Sequence, residues 1–259
     1  MKKTIGTSYG HFRKETPIYE CAEMVRAFLN KQHPKVQLRR PVTPQLPLWA
    51  AGSYTLLDAL WYPTSPTGKI GLGTPTRCVY GEPGDMLWVR ETWAAIHTYK
   101  DWETGYIDDW EGSEKVPSSS ENGYWSPVYR ATSDWGDTEE RGFKWRSPTS
   151  MPYWASRIQL SIVDVRIQRA EDMSVVDIIA EGIPQTAAEA AKVGFCYWDE
   201  LSEQSEQEWD NQTFLEYYGK YWDLHHGKKY PWNTNPAMYV ITVKRIEPFL
   251  SENFGELQL

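Results

Sequence analysis

The longest run of alternating hydrophobic residues, Arg157 to Gln168, constrains the fold more than any other part of the sequence. Three hydrophobic residues alternate with polar ones, and three more then alternate in the opposite phase: Ile158, Leu160 and Ile162, followed by Val163, Val165 and Ile167. Alternation decides which face of a strand is buried. The change of phase at Ile162–Val163 therefore predicts a β-bulge, or a strand that changes partners in a curved sheet.

The rest of the sequence predicts a mixture of strands and helices. Apolar spacing predicts a first helix from Ala22 to Lys31, which Pro34 ends. The other predicted strands are Lys35–Arg40, Asp85–Trp93, Trp125–Thr132 and Met238–Ile246. Three later helices each open with a capping box: Ser174 with Asp177, Thr186 with Glu189, and Thr213 with Glu216. Intermixed strands and helices predict an α+β fold with a small curved sheet or barrel.

We predict a single domain over residues 1–259 with two long insertions. A chain of 259 residues, 41% of them hydrophobic, can bury a sizeable core. Residues 41–75 are rich in proline and glycine, which predicts an irregular excursion. Residues 98–123 are acidic, rich in glycine and serine, and without periodicity, so we interpret them as a surface insertion.

The net charge limits the contacts with nucleic acid that the chain can make. A formal charge of −8 leaves too few cations to coat duplex DNA, so any contact must be local, such as a pocket for one base. Three distant cysteines and the lack of a long apolar run predict a cytoplasmic protein without a membrane segment. His225 and His226 point to different sides of a helix and have no partner at ligand spacing, so we predict no metal and no other cofactor.

Glu181 is a candidate catalytic residue on local physical grounds. Glu181 falls in the last turn of a predicted helix, where the helix dipole disfavours a carboxylate. Such a residue can mark a site, or it can be a solvated glutamate. Lys35 can act as a base or nucleophile if burial lowers its pKa, and Glu181 can then orient it or pass protons. The alternative is a simple ion pair, or a lysine that contacts phosphate.

Arg39 and Arg40 are candidates for phosphate contacts. They alternate along the predicted strand, so only one of them can face a cleft. A guanidinium group binds phosphate oxygens through two hydrogen bonds. The alternative is that both arginines pair with carboxylates at the rim of the sheet, such as Asp85 or Glu91.

Side chains near the starts and ends of strands are candidates for holding a base. A ring beside a cation can stack a base while the cation holds its phosphate. The residues concerned are Trp88, Arg90 and Thr92 on one predicted strand face, and Trp154, Ser156 and Arg157 at the start of the long strand. Packing in the core is the alternative for each aromatic residue.

Glu91 and Trp93 lie on the other face of the strand 85–93. A carboxylate beside apolar neighbours must be paired, because an unpaired buried charge is costly. Glu91 therefore either accepts a hydrogen bond from a base amino group or pairs with Arg157 or Arg39.

A set of segments is informative through its order and spacing. The segments are Met24–Val42, Tyr80–Trp93, Tyr129–Thr132, Trp145–Ile158, Asp172–Ile183, Tyr221–Asp223 and Asn235–Val240. In this order the chain resembles ASCH-domain proteins of bacteriophages and prophages, which belong to the PUA-like superfamily. The resemblance spans most of the chain outside the two insertions.

The resemblance implies a PUA-like barrel whose cleft, beside the first helix, binds RNA, a nucleotide or a modified base. It implies two alternatives: an amidohydrolase or ribonuclease acting on a modified nucleoside or RNA, and an interaction with a host or phage protein in phage assembly or counter-defence. The lysine and glutamate of the family fall on Lys35 and Glu181, which are implied as catalytic residues. Leu38 stands in the family's threonine slot, and this departure counts against the amidohydrolase.

Overall fold

A computed structural model describes residues 14–45, 54–57, 60–63, 75–100, 107–110, 125–133, 144–184 and 211–246 of the chain. The strands are β1 (Glu15–Tyr19), β2 (Gln37–Pro41), β3 (Tyr54–Leu57), β4 (Leu60–Pro63), β5 (Met86–Arg90), β6 (Trp93–Lys100), β7 (Ile107–Trp110), β8 (Trp125–Tyr129), β9 (Gln159–Arg169) and β10 (Ala237–Ile246). The α-helices are α1 (Ala22–Leu29), α2 (Val175–Ala180) and α3 (Asn211–Trp222). The fold is mixed α+β, as the sequence predicts.

The main sheet has five strands in the order β1-β5-β9-β10-β2. β1 runs parallel to β5, whereas the other neighbouring strands are antiparallel. Among the described residues this sheet is open, with β1 and β2 at its edges, and it does not form the predicted closed barrel. One reason lies at the β2 edge, where the amide of Arg39 donates to the carboxylate of Glu181 at 3.2 Å rather than to another strand.

The predicted irregularity in β9 is confirmed as a β-bulge. Thr242 of β10 lies opposite Asp164, and the next residue, Val243, lies opposite Ile162. Val163 is therefore the extra residue, and its side chain is 54% exposed. The bulge lets hydrophobic residues on both sides of it face the core, because one additional residue reverses the alternation.

Two of the predicted helix ends can be compared with the structure. Ser174 caps α2 through a reciprocal box with Asp177, as predicted. The box at Thr213 is wrong, since helical structure already includes Asn211 and Thr213 lies within α3. A π-helical turn, Asp223–Gly227, follows α3 directly. The box at Thr186 and Glu189 lies outside the described residues.

Both predicted insertions contain strands where they are described. β3 and β4 form a hairpin within residues 41–75. β6 continues to Lys100 and pairs with β7, so ordered sheet reaches into residues 98–123. Prediction of irregular structure is wrong for these strands, because cross-strand pairing outweighs a local composition rich in turn formers. The other parts of both insertions lie outside the described residues.

The predicted strand Asp85–Trp93 is two strands in the structure. β5 ends at Arg90, and β6 begins at Trp93 in a second sheet of order β7-β6-β8. Glu91 and Thr92 form the break between the two sheets. The faces predicted from alternation therefore hold only as far as Arg90, and Thr92 does not continue the face of Trp88.

Hydrophobic side chains pack on both sides of the main sheet. One cluster joins α1 to the sheet through residues that include Val25, Phe28, Leu38, Leu87 and Ile241. A second cluster joins α2 and α3 to the sheet and includes Met24, Ile178, Phe214, Tyr218 and Met238. Three buried charged residues, Lys35, Arg39 and Glu181, form the candidate site.

Candidate functional site

The structure brings Lys35 and Glu181 together where α1 and α2 end beside β2. The amide of Lys35 donates to the carbonyl of Ala27, near the end of α1, at 3.0 Å. Gly182 follows Glu181 with φ of +85°, and a Cβ at Gly182 would lie only 2.9 Å from Cβ of Lys35. The missing side chain at Gly182 therefore allows α2 to end directly against Lys35.

Glu181 is a buried carboxylate, 3% exposed, with polar partners for both oxygens. Oε1 accepts from the amide of Arg39 at 3.2 Å and lies 3.7 Å from Nζ of Lys35. Oε2 accepts from Nη1 of Arg39 at 3.1 Å and from the hydroxyl of Tyr218 at 2.6 Å. Burial alone would raise the pKa of Glu181, but the charges of Lys35 and Arg39 and the Tyr218 hydrogen bond outweigh it, so the pKa lies below its usual value.

Ion pairs connect Glu181 to further charged groups. Arg39 pairs with Glu181 and, through Nη2, with Asp177 at 2.9 Å. Arg166 also pairs with Asp177, at 2.9 Å. Two guanidinium groups therefore face two carboxylates, and arginine stays charged at any ordinary pH.

Lys35 is buried with few acceptors around its amino group. Nζ donates to the thioether of Met24 at 3.1 Å and lies 5.6 Å from the centre of the Phe28 ring. A thioether is a weak acceptor. Among the described residues, no oxygen lies within hydrogen-bonding distance of Nζ. Even the carboxylate of Glu181, with which Lys35 forms an ion pair, is 3.7 Å away. Burial lowers the pKa of Lys35 below its ordinary value of 10.5, although Glu181 acts in the opposite direction.

We expect Lys35→Met to stabilise the folded protein at pH 7 by about 1–2 kcal/mol, because it removes a buried amine whose described acceptor is only a thioether, while Arg39 still pairs with Glu181. The lowered pKa of Lys35 means that the unfolded chain binds more protons than the folded chain as the pH approaches 10.5 from below. Wild-type stability from this group therefore rises with pH, and the advantage of the variant shrinks. Urea unfolding between pH 7 and pH 10 measures both effects. Lys31→Met on the surface is the control, and a variant less stable than wild type at pH 7 contradicts the expectation.

Arg39 and Arg40 point to different partners, as alternation along β2 predicts. Arg40 pairs with Glu20, and its Nη2 also lies 3.4 Å from the carbonyl oxygen of Tyr19. The carboxylates suggested by the sequence, Asp85 and Glu91, are therefore not their partners. The sequence does not reveal the true ones, because Glu20 and Glu181 reach β2 from distant parts of the chain.

Glu91 forms a buried pair with Arg157, which is one of the two partners predicted for it. Nε and Nη2 of Arg157 donate to the two carboxylate oxygens, each at 2.9 Å. The Arg157 guanidinium lies 3.9 Å from the centre of the Tyr129 ring. Burial raises the pKa of Glu91 despite this arginine. This ion pair joins the segment between β5 and β6 to the residues just before β9.

The remaining predicted residues divide into two groups. Trp93 and Trp154 pack edge to face at 6.2 Å in a separate hydrophobic cluster, and the Ser156 hydroxyl donates to the carbonyl of Val89. Trp88 and Arg90 stack on each other on the outer face of β5, with 4.5 Å between the guanidinium and the ring centre. No described hydrogen bond or ion pair joins either group to Lys35 or Glu181.

Comparisons with protein-family models, with curated proteins and with solved structures found no match for this chain. The resemblance to ASCH-domain proteins therefore stays a prediction from the sequence. Among the helices that the structure describes, none is long and apolar enough to cross a membrane. In the same residues, no group of three or more histidine, cysteine or acidic side chains is placed to hold a metal ion.

Sequence reasoning missed the contribution of α3. Tyr218 donates to Glu181, and its ring packs at 5.9 Å from that of Tyr221. The ring of His225, on the π-helical turn, packs against that of Tyr221 with 4.6 Å between ring centres and an interplanar angle of 59°. Burial lowers the pKa of His225, and the carboxylate of Glu20 acts against this shift. π-Helical turns often occur at functional sites, so this turn is a local structural feature that associates α3 with the candidate site.

Proposed function

We propose that this chain binds RNA, a nucleotide or a modified base, with the amino group of Lys35 as a central contact. The supporting observation is that Nζ of Lys35 is buried, yet its one described hydrogen-bond acceptor is the sulfur of Met24. Unmet donors in a buried position are costly. A carbonyl oxygen of a base or an oxygen of a phosphate would supply the missing acceptor.

The neighbours of Lys35 suit such a ligand. The charges of the Arg40–Glu20 ion pair both act on Lys35. Tyr221 and His225 offer two adjoining rings on the side of α3. A few cations beside aromatic rings can hold one nucleotide, which agrees with a formal net charge of −8 that rules out a broad electrostatic surface.

Entry of a ligand requires a side chain to move, because Lys35 is only 3% exposed. Met24 suits this movement, since an unbranched thioether side chain changes shape at little cost. On this proposal the ligand oxygen replaces the Met24 sulfur as the acceptor from Nζ.

Hydrolysis of an acyl-modified nucleoside or of RNA is the second candidate, and the burial that lowers the pKa of Lys35 favours it. An amine acts as a base or a nucleophile only in its neutral form, and a lowered pKa makes that form more abundant at a given pH. Glu181 would stay ionised and orient Lys35. At the position of the family's threonine this chain has Leu38, which carries no hydroxyl group and is buried in the core cluster beneath α1.

Calorimetric titration of the purified chain with nucleoside monophosphates and acylated nucleosides tests the proposed function. We expect wild type to bind at least one of them, and Lys35→Met to weaken that binding by about a hundredfold, as for loss of a charged or fully buried contact. Lys31→Met is the control. Binding that is unchanged in Lys35→Met would contradict the proposal, and release of the free acid from an acylated nucleoside during the titration would favour hydrolysis over binding alone.

A further inference from the structure

The outer face of β1 and β5 brings two exposed tyrosine rings and one buried tryptophan ring around one arginine. Tyr19 lies opposite Arg90, and Pro17 lies opposite Trp88, in the parallel pairing of the two strands. The alternate residues Ile18, Leu87 and Val89 face the core. We call Tyr19, Trp88, Arg90 and Tyr153 the Tyr19 platform.

The two tyrosine rings of the Tyr19 platform are accessible, whereas the Trp88 ring is buried. Tyr19, on β1, is 50% exposed, and Tyr153, in the 3-10 turn Tyr153–Ala155, is 42% exposed. Trp88 supports Tyr153 edge to face, with 5.3 Å between the ring centres. The Arg90 guanidinium lies 4.5 Å from the Trp88 ring centre and 5.7 Å from that of Tyr19. Exposed tyrosine rings lose little conformational entropy when a planar group stacks on them.

The hydrogen bonds of Arg90 leave donors available for a ligand. In the described part of the chain, both of its side-chain hydrogen bonds come from Nη1, to the Tyr19 hydroxyl and to the carbonyl of Thr149, each at 3.2 Å. Nε is buried and makes no hydrogen bond. Nη2 therefore has no described partner, and a guanidinium group stacked between rings can donate to a phosphate without moving.

The Tyr19 platform adjoins the Arg40–Glu20 ion pair, whose two charges act on Lys35. The carbonyl of Tyr19 lies 3.4 Å from Nη2 of Arg40, and the next residue, Glu20, forms the ion pair with Arg40. The amide of Glu20 donates to the carbonyl of Arg90 at 3.1 Å. One residue of backbone thus separates the platform from the charged groups beside Lys35.

We propose that the ligand is a single strand of nucleic acid rather than a free nucleotide: one nucleotide lies at Lys35, and its neighbour stacks on the Tyr19 platform with its phosphate between Arg40 and Arg90. The inference rests on the proposed function for the nucleotide at Lys35. Base stacking on tyrosine and on guanidinium planes is the usual way in which proteins hold unpaired strands.

Charge and area favour a nucleic-acid strand over a protein partner. Arg90 stands at the Tyr19 end of the platform, next to the ion pair of Arg40 with Glu20, whereas Glu15 lies on the same face at the start of β1. This arrangement attracts phosphate at one end only. Two exposed tyrosine rings are too small an apolar area for a stable protein interface, which needs about 800 Å² on each partner.

Fluorescence anisotropy with labelled tetraribonucleotides, and competition by the matching mononucleotide, tests the inference on the full chain. We expect the tetranucleotide to bind at least about tenfold more tightly than the mononucleotide. Tyr19→Leu and Arg90→Gln should each remove most of this gain while the affinity for the mononucleotide stays unchanged. Arg77→Gln, a surface arginine paired with Glu82, is the matched control.

The outcomes separate the platform from the Lys35 site. Equal affinity for both ligands, an effect of Tyr19→Leu no larger than that of Arg77→Gln, or equally tight binding of a duplex would overturn the inference. If the mononucleotide still requires Lys35 in that case, the proposed function stands alone. If the tetranucleotide requires Tyr19 but Lys35→Met changes nothing, the platform stands and the Lys35 site fails. Absence of binding by every ligand overturns both.

Discussion

Replacing Glu181 with alanine is expected to lower the free energy of unfolding by about 3–5 kcal/mol, as when one member of a buried ion pair is removed. Arg39 is fully buried, and its Nε already lacks a hydrogen bond. Loss of Glu181 leaves Nη1 of Arg39 with only the carbonyl of Asp177, and it removes the acceptor for the Tyr218 hydroxyl. The buried guanidinium charge of Arg39 then has Asp177 as its remaining carboxylate partner, and Arg166 shares that carboxylate.

Urea unfolding at pH 7 measures this loss, and Glu216→Ala is the matched control because Glu216 is an exposed carboxylate on α3. Glu181→Gln keeps the shape and one carbonyl acceptor, so we expect it to be destabilising by a smaller amount. Because the pKa of Glu181 is lowered on folding, its contribution is present above its ordinary value of 4.5 and is lost as the pH falls below it. A change under 1 kcal/mol in Glu181→Ala would mean that Arg39 finds another partner.

Gly182→Ala is expected to destabilise the fold by about 2–5 kcal/mol, from a positive φ and from close packing together. The φ of +85° at Gly182 is a conformation that residues with a side chain rarely adopt. A Cβ there would also lie 2.7 Å from Cβ of Ala27 and 2.9 Å from Cβ of Lys35, so α1 and Lys35 would have to shift. The same shift would separate Lys35 from Glu181.

Gly84→Ala separates the two causes. Gly84 has a similar φ of +93°, but nothing lies within 4 Å of a Cβ built there. We expect Gly84→Ala to be destabilising by about 1–2 kcal/mol, from the backbone alone. If both variants lose the same stability in urea unfolding, close packing of Gly182 against Lys35 contributes nothing.

Local patterns predicted the parts of the fold that depend on neighbouring residues. The bulge at Val163 follows from the alternation within β9 itself, and the cap at Ser174 follows from a box of four residues. The closeness of Lys35 and Glu181 came from the resemblance, and no periodicity in the sequence could give it. Which strands pair, and whether the sheet closes, depends on contacts far apart in sequence.

The partners of Glu181 illustrate what the sequence could not show. Tyr218 lies among buried aromatic residues at helical spacing, which is the pattern of an ordinary core helix. Only its position in the structure makes its hydroxyl a ligand of the carboxylate. The ion pairs of Arg39 and Arg166 with Asp177 and Glu181 likewise depend on β2, β9 and α2 lying together. The composition of the chain does not predict them.

The hydrogen bond between the Arg39 amide and Glu181 also bears on self-association. An open sheet edge presents backbone groups on which strands of other molecules can assemble. At β2, a buried carboxylate occupies the outward amide of Arg39, and the end of α2 covers it. Glu181 thus closes one edge of the sheet to other chains, and its loss would expose a template for aggregation as well as weaken the fold.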